Sequence, residues 1–400
     1  MKHINTEVAG HGRLSLASAQ VKKGGVTVIF ADGHESRFPA IWLRHNCECK
    51  ECGSTRSARR ELRLTDIPAD IEARRAGVAP DGALEVIWEA DGHRSLYAAA
   101  WLRGHCLSAA ERDRRRARPR LWNPRTPDLI RYESFPALSD PQRRLAYLER
   151  LRDFGFVILK DIPEGPESTE AVAATVGLLR ITNYGVYELI SRPTPQLVGD
   201  SSVALAPHTD EPYRHHPPGI TFFHVVAQSE HGGESTLVDG FHVAEVLKQQ
   251  DPEAFRLLST VPVDFHRELK EGRIFHASAP IIRVDRQGQL EGLRLLDRGT
   301  APFDLEEDQV AGFYAAYRKW LTFLYDAGNQ LIVKIRAGEV LVFNNHRLLH
   351  GRTAFDASKS YRHVRSANVD FDEFYSSLRV LYRDLGREEL YMRLPQGSST

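Results

Sequence analysis

Cysteine is scarce in this chain: there are four in 400 residues, and three of them, Cys47, Cys49 and Cys52, fall within six residues of one another. A spread, paired set of the kind that frames a secreted disulfide scaffold is missing, so the expectation is a reducing compartment in which clustered thiolates serve a metal. Charge of one sign is missing too. Equal numbers of basic and acidic residues, 53 of each, argue against nucleic acid or an anionic membrane as the main partner. No apolar run approaches the ~20 residues needed to span a bilayer. The start, Met1-Lys2-His3-Ile4-Asn5, lacks the apolar core of a signal peptide, and a cytoplasmic location is expected. What is present is ordinary for a soluble globular protein long enough for two domains: 42% apolar and 26% charged residues.

The first hundred residues read as short strands. Val26–Phe30 enters an Asp32-Gly33 turn and Leu84–Trp88 enters an Asp91-Gly92 turn, the pattern of two hairpins. Each turn is followed by an element ending in Trp-Leu-Arg, at Trp42-Leu43-Arg44 and Trp101-Leu102-Arg103, which points to an internal repeat. Cys106 reads as a small core residue. Residues 111–131 are rich in arginine and proline and read as a solvated linker, with a nucleic-acid arm as the sharper alternative. That divides the chain into an N-terminal domain over 1–110, a linker over 111–131 and a second domain over 132–400. In the second domain Pro141–Phe154 is amphipathic and helical, and Gly155–Leu159 reads as a buried strand. Asp239 is placed to cap a helix carrying Val243, Val246 and Leu247, and Val310–Leu324 forms a long helix with aromatic residues on its inner face. With strands at Ile220–Val225 and Glu339–Phe343, the pattern is that of an antiparallel β-sandwich buttressed by helices.

Three residues stand out chemically. On an extended strand, residues two apart share a face, so His208 and Asp210 present an imidazole and a carboxylate to one point. His350 would complete a two-histidine, one-carboxylate set, which leaves open positions on an octahedral Fe(II). A His-x-Asp pair alone is more often a surface or hydrogen-bonding arrangement than a metal site. Arg362, twelve residues beyond His350, is spaced to return on the next strand, where a buried guanidinium grips a carboxylate through two parallel hydrogen bonds; standing alone it would read as a surface ion pair. Gly232-Gly233 allows a tight turn that brings the Ser235 hydroxyl toward the same anion. Cys-x-Cys-x-x-Cys at Cys47, Cys49 and Cys52 gathers three thiolates around one ion, and zinc then requires a fourth ligand. A redox pair or a solvated loop is the competing reading.

These motifs in this order, with Ile181–Gly185 and Pro207–Gly219, resemble the gamma-butyrobetaine and trimethyllysine hydroxylase group of the taurine-dioxygenase-like Fe(II)/2-oxoglutarate dioxygenases. The resemblance covers most of residues 130–385 and extends to Trp42–Cys52. It implies a mainly β fold with buttressing helices: a double-stranded β-helix (jelly-roll) catalytic domain and a small, β-rich zinc-binding N-terminal domain, assembled as a homodimer. It implies Fe(II) on His208, Asp210 and His350, 2-oxoglutarate on Arg362 and Ser235, O2 as oxidant, and Zn(II) on Cys47, Cys49, Cys52 and His93. It also implies that the substrate is small and cationic. Tyr184 matches one position of the aromatic cage that holds a trimethylammonium group, while Glu188, Asp200 and Asn368 fall at the others. Carboxylates there favour an amine or guanidinium with N–H donors. Arg298 and Asn345 are candidate contacts for a substrate carboxylate or phosphonate. The expectation is hydroxylation of an unactivated C–H bond in such a molecule. The alternatives are butyrobetaine hydroxylation proper and a non-catalytic zinc-bearing interaction protein.

Overall fold

The computed structural model describes residues 14–54, 58–115, 118–165, 167–191, 201–269, 272–356 and 361–394. They fold as two compact units, one formed by residues up to Arg115 with 386–394 and the other by residues 118–385.

The N-terminal unit is two copies of one motif. Strands β1 (Leu16–Lys22), β2 (Gly25–Phe30) and β3 (Glu35–Pro39) form an antiparallel sheet that runs into helix α1 (Ala40–His45). Strands β4 (Ala73–Val78), β5 (Leu84–Trp88) and β6 (Arg94–Tyr97) do the same ahead of α2 (Ala99–Gly104). Val26, Val28, Phe30, Phe38, Leu43, Val86, Trp88, Tyr97 and Leu102 pack into one core between the copies. Gly33 and Gly92 both take positive φ, 83° and 66°, which is why each Asp-Gly pair can turn the chain so tightly. Helix α3 (Ala109–Arg114) follows, capped by Ser108.

Residues 118–131 do not form the solvated tether expected of them. Trp122 and Leu129 are buried in the core of the second unit. The Trp122 backbone N–H donates to Asp239 and its indole N–H to the Phe154 carbonyl. Arginine content suggests an exposed stretch, but two of its four large apolar residues, Trp122 and Leu129, decide where it lies.

The second unit is a two-sheet sandwich. Its strands and helices in chain order are β7 (Tyr132–Ser134), α4 (Pro141–Phe154), β8 (Phe156–Lys160), α5 (Ser168–Ala173), β9 (Tyr187–Ile190), β10 (Leu205–His208), β11 (Ile220–Ala227) and β12 (Ser235–Asp239). Then come α6 (Gly240–Gln250), α7 (Pro252–Thr260), the β13 (Val263–Leu269)–β14 (Arg273–Ala279) hairpin, the β15 (Ile282–Val284)–β16 (Leu290–Leu293) hairpin and α8 (Glu307–Tyr325). The unit closes with β17 (Leu331–Val333), β18 (Glu339–Asn344), β19 (Leu348–Arg352), β20 (His363–Val369) and α9 (Phe371–Asp384). The larger sheet has the order β9-β20-β11-β18-β8-β7 and the smaller β10-β19-β12-β17. Phe156, Ile158, Val225, Leu341, Phe343 and Val364 from the first pack against Leu237, Leu348 and Val333 from the second. The long helix α8 buries Phe313, Tyr317, Trp320 and Leu324 at i, i+4, i+7 and i+11, the stripe its periodicity demands. Asp239 caps α6 through the Phe241 N–H and is bridged by Arg347 at 2.8 and 3.0 Å, both side chains being fully buried. The remaining Arg347 donors reach the Asp153 and Arg120 carbonyls, so this buried pair has the full set of partners that its desolvation requires.

Candidate active site and metal centres

β10 and β19 pair so that His208 lies directly opposite His350, with ring centroids 4.5 Å apart. Phe223 and Phe343 from the larger sheet close on the His350 ring at 5.1 and 4.8 Å, so the triad sits between the sheets. Asp210 reaches the same point, though not as a continuation of the strand. β10 ends at His208, and the chain turns there: the Thr209 N–H donates to the Leu295 carbonyl and Glu211 adopts a φ of 51°. What fixes Asp210 is Asn345, whose side chain accepts the Asp210 N–H at 2.7 Å and donates to the carbonyls of Asp210 and Pro218 at 3.0 and 3.1 Å.

The ligand atoms of His208, Asp210 and His350 lie within 4.8 Å of one another. The Asp210 carboxylate is 3.8 Å from His208 Nε2 and 3.5 Å from His350 Nε2. The Ala206 carbonyl lies 2.9 Å from His208 Nδ1; a proton held there leaves Nε2 as the lone pair facing the carboxylate, the orientation that a ligating histidine takes from its outer partner. Burial, reinforced by His350, pushes the His208 pKa down to about 3, so the imidazole is neutral and available as a ligand. Burial alone would raise the Asp210 carboxyl, but His350, His208 and Arg298 hold it below its usual value. Two imidazoles and a carboxylate converging between two sheets are the donor set that Fe(II) requires.

Arg362 lies just ahead of β20, its N–H donating to the Ser191 hydroxyl and its carbonyl accepting the Ser191 N–H. The residue is 8% exposed and its buried Nε has no protein acceptor. Burial and the neighbouring Arg352 bring its pKa down to about 10, so the fold holds a guanidinium that calls for an anion. Gly232 and Gly233 take φ values of 72° and 71°. A Cβ on Gly232 would lie 2.2 Å from the Ala354 carbonyl oxygen, and one on Gly233 would lie 3.6 Å from Arg362 Cδ. Ser235 opposes Arg352 two residues along from the Leu237–His350 pair, so it shares the face of the smaller sheet that carries His350. The Arg362 guanidinium matches a carboxylate in charge, and the Ser235 hydroxyl can donate to one.

The remaining expected residues divide. Arg298 stands at the triad, with Nη2 3.3 Å from His208 Nε2. Tyr184 is half-buried, its hydroxyl 3.2 Å from that of Tyr213 and its ring edge-on to Tyr187 at 5.3 Å. Asn368 accepts from the Thr221 hydroxyl at 2.8 Å and shares the inner face of the larger sheet with Phe223. Glu188 does not reach the site. It pairs with Arg365 across β9 and β20 and turns outward, bound by His363 at 2.6 Å and Arg365 at 3.2 Å; strand alternation gives the inner position to its neighbour Tyr187, opposite Ser366. Asn345 is also no substrate contact, being fully buried with its amide spent on the Asp210 turn. Asp200 lies outside the described residues. Tyr187, one place from Glu188, and Tyr213, three places from Asp210, join Tyr184 here without any spacing signal in the sequence.

The N-terminal cysteines form the second centre. Nε2 of His93 stands 3.5, 3.6 and 3.5 Å from the sulfurs of Cys47, Cys49 and Cys52. A tetrahedral zinc with Zn–S of ~2.3 Å and Zn–N of ~2.0–2.1 Å sets S···N edges of about 3.5 Å, so the four atoms are already at coordination spacing. Arg44 donates to Cys52 Sγ at 3.2 Å and to Asp91 at 3.2 Å, and Asp91 accepts the His93 N–H. Burial and the adjoining thiols push Cys52 up to about 12: three sulfurs this close do not all ionise without a cation. Among the described residues these two clusters are the groups of three or more candidate ligands that converge.

The family model "Taurine catabolism dioxygenase TauD, TfdA family" matches residues 119–367, and "Gamma-butyrobetaine hydroxylase-like, N-terminal" matches residues 17–103. Among curated proteins, a gamma-butyrobetaine dioxygenase of Pseudomonas sp. (strain AK-1) is 33% identical over 92% of this chain and 96% of its own length. A trimethyllysine dioxygenase of Meyerozyma guilliermondii is 28% identical over 91% and 94%, and the human gamma-butyrobetaine dioxygenase 29% identical over 88% and 93%.

Proposed function

Because this chain belongs to the TauD, TfdA dioxygenase family and is an Fe(II)/2-oxoglutarate-dependent dioxygenase, we propose that it hydroxylates a small substrate carrying a methylated ammonium group and an anionic end. Iron and 2-oxoglutarate, when bound, would together activate O2, one oxygen atom ending in succinate as carbon dioxide leaves and the other in the hydroxyl group of the product. His208, Asp210 and His350 hold the metal, Asn345 fixes the Asp210 turn, and Arg362 with Ser235 orients the co-substrate. What remains for the protein is to present one C–H bond and exclude others.

The observation that carries the substrate reading is the tyrosine cluster. Tyr184, Tyr187 and Tyr213 come together beside the Asp210 loop, whereas the carboxylate expected among them, Glu188, faces away. Ring faces attract a cation that has no N–H to donate; a carboxylate would favour one that has. The Arg214 guanidinium, ion-paired to Glu211, already lies 5.7 Å from the Tyr184 centroid, so this ring face accommodates positive charge. Arg298 beside His208 supplies the complementary charge for an anionic end. The relatives are named for butyrobetaine and trimethyllysine, both trimethylammonium compounds, which supports the same reading.

The test is 2-oxoglutarate turnover across pairs of compounds that differ only in N-methylation. Quaternary members should be the better substrates, and Tyr184→Leu and Tyr187→Leu should raise KM for them about tenfold or more, as loss of a desolvated cation–π contact of ~2 kcal/mol implies, with KM for 2-oxoglutarate unchanged. Equal turnover of the primary amines, with both variants unaffected, would contradict it.

A further inference from the structure

The two motif copies of the N-terminal unit correspond residue for residue at a separation of 59 positions. Asp32-Gly33-His34 matches Asp91-Gly92-His93, Ser36 matches Ser95, Trp42-Leu43-Arg44 matches Trp101-Leu102-Arg103, and Cys47 matches Cys106. The correspondence extends to contacts. Arg44 of the first copy binds Asp91 of the second at 3.2 Å, and Arg103 of the second binds Asp32 of the first at 3.0 Å. Cys47 meets His93 from the other copy at 3.5 Å, and Cys106 meets His34 from the other copy at 3.4 Å. Each copy thus lends its histidine to its sibling's cysteine.

Carrying the same shift onward, the place of Cys49 is taken by Ser108 and that of Cys52 by Glu111. Their local roles are kept. Cys49 Sγ accepts the Cys52 N–H at 3.4 Å, and Ser108 Oγ accepts the Glu111 N–H at 3.3 Å. Arg44 donates to Cys52 Sγ at 3.2 Å, and Arg103 donates to a Glu111 carboxylate oxygen at 3.3 Å. We propose that His34, Cys106, Ser108 and Glu111 are the internal counterpart of the zinc cluster, a second site in which hydrogen bonds and ion pairs stand in for the metal, and which takes Zn(II) when its two altered donors are returned to thiolates.

The chemistry explains both halves of this. Three thiolates and a neutral imidazole around Zn(II) carry one net negative charge, which Arg44 offsets. In the second cluster a hydroxyl replaces one thiolate, and the carboxylate replacing the other is engaged by Arg103 and by Arg114 at 2.8 Å. A soft cation loses two thiolates there and meets two guanidinium groups. The fully buried Cys106 sulfur is instead satisfied by the Ser36 hydroxyl at 3.0 Å, the Ser108 hydroxyl at 3.3 Å and His34. Burial alone would raise this thiol, yet Ser108, Ser36 and His34 bring it down to about 7. It is the small, buried core residue that its isolation in the sequence suggests, with three polar partners around its sulfur. The two clusters staple the copies together twice, once by coordination and once by hydrogen bonding.

The experiment is metal analysis of the full-length protein. Wild type and Cys106→Ala should each hold about one zinc per chain, because Cys106 belongs to the other cluster. Ser108→Cys/Glu111→Cys should hold about two, and reconstitution with Co(II) should about double the sulfur-to-cobalt charge-transfer absorbance. Should the double variant fail to fold, Glu111→Cys alone decides the matter, since it removes the carboxylate that Arg103 and Arg114 engage and leaves an imidazole and two thiolates, a set that zinc completes with water. Zinc lost from Cys106→Ala would show that the clusters are not separate sites. A folded variant that still holds one zinc would show that the second set of positions is not a metal-site geometry. Either result overturns the proposal.

Discussion

Replacing Arg362 by Met separates binding from stability in opposite directions. Arg362 is 8% exposed, its Nε has no acceptor in the protein, and burial with the nearby Arg352 lowers its pKa from 12.5 to about 10. A depressed folded pKa on a base is a destabilisation present at every pH below about 10, and at 1.36 kcal/mol per unit it amounts to about 3 kcal/mol. Methionine fills much of the same volume without the charge. Without co-substrate, the variant should be as stable as wild type or more so, by up to about 3 kcal/mol in urea unfolding. With 2-oxoglutarate the order reverses: wild type gains RT ln(1 + [L]/Kd) and the variant gains little. Loss of a charge-assisted, bidentate contact worth roughly 1.5–3 kcal/mol or more should raise KM for 2-oxoglutarate at least ten- to a hundredfold. Succinate release followed at varied 2-oxoglutarate supplies the KM. An unchanged KM in a folded Arg362→Met variant would refute the assignment of this arginine to the co-substrate, whatever its stability.

Three further outcomes are expected. Asn345→Ala should release the Asp210 turn: iron occupancy and kcat should fall at least tenfold, while Asn345→Asp, which keeps one acceptor for the Asp210 N–H, should retain more of both. Cys47→Ser and His93→Gln should each lose the zinc by metal analysis and lower the unfolding midpoint of the N-terminal unit, because coordination there is folding free energy. Burial holds the pKa values of His208 and His346 down at about 3. Both are therefore neutral in the folded protein and charged in the unfolded chain below pH ~6.5, so their stabilising contribution is complete above that pH and is lost as pH falls toward 3. For two protons the slope is at most about 2.7 kcal/mol per pH unit. Urea unfolding of metal-free His346→Gln should show a shallower acid limb than wild type, and an identical limb would show that His346 is not a neutral buried group.

Much of the site was legible because its chemistry depends on spacing. His208, His350, Arg362 and the three clustered cysteines are each where their intervals place them, and the Asp-Gly turns and the Trp-Leu-Arg repeat report a real duplication. Asp210 was recognised for a partly mistaken reason: the strand stops at His208, and Asn345, far away in sequence, does the positioning. Glu188 shows the limit most clearly, since one residue of slip in a strand exchanges the faces of a sheet and transfers the inner position to Tyr187. The role of Asn345 was illegible for a related reason. An amide beside a predicted pocket looks like a ligand contact until its partners are known, and here they are backbone groups of the metal-binding turn. The arginine-rich junction misled because composition records charge but not where Trp122 and Leu129 are buried.

The most direct measurement of the central claim is paired product analysis with Fe(II), 2-oxoglutarate and a quaternary ammonium substrate, comparing wild type with Asp210→Ala. The account predicts succinate and hydroxylated product in equal amounts from wild type and neither from a folded Asp210→Ala variant. Product formation that persists in that variant, or that proceeds without 2-oxoglutarate, would contradict it.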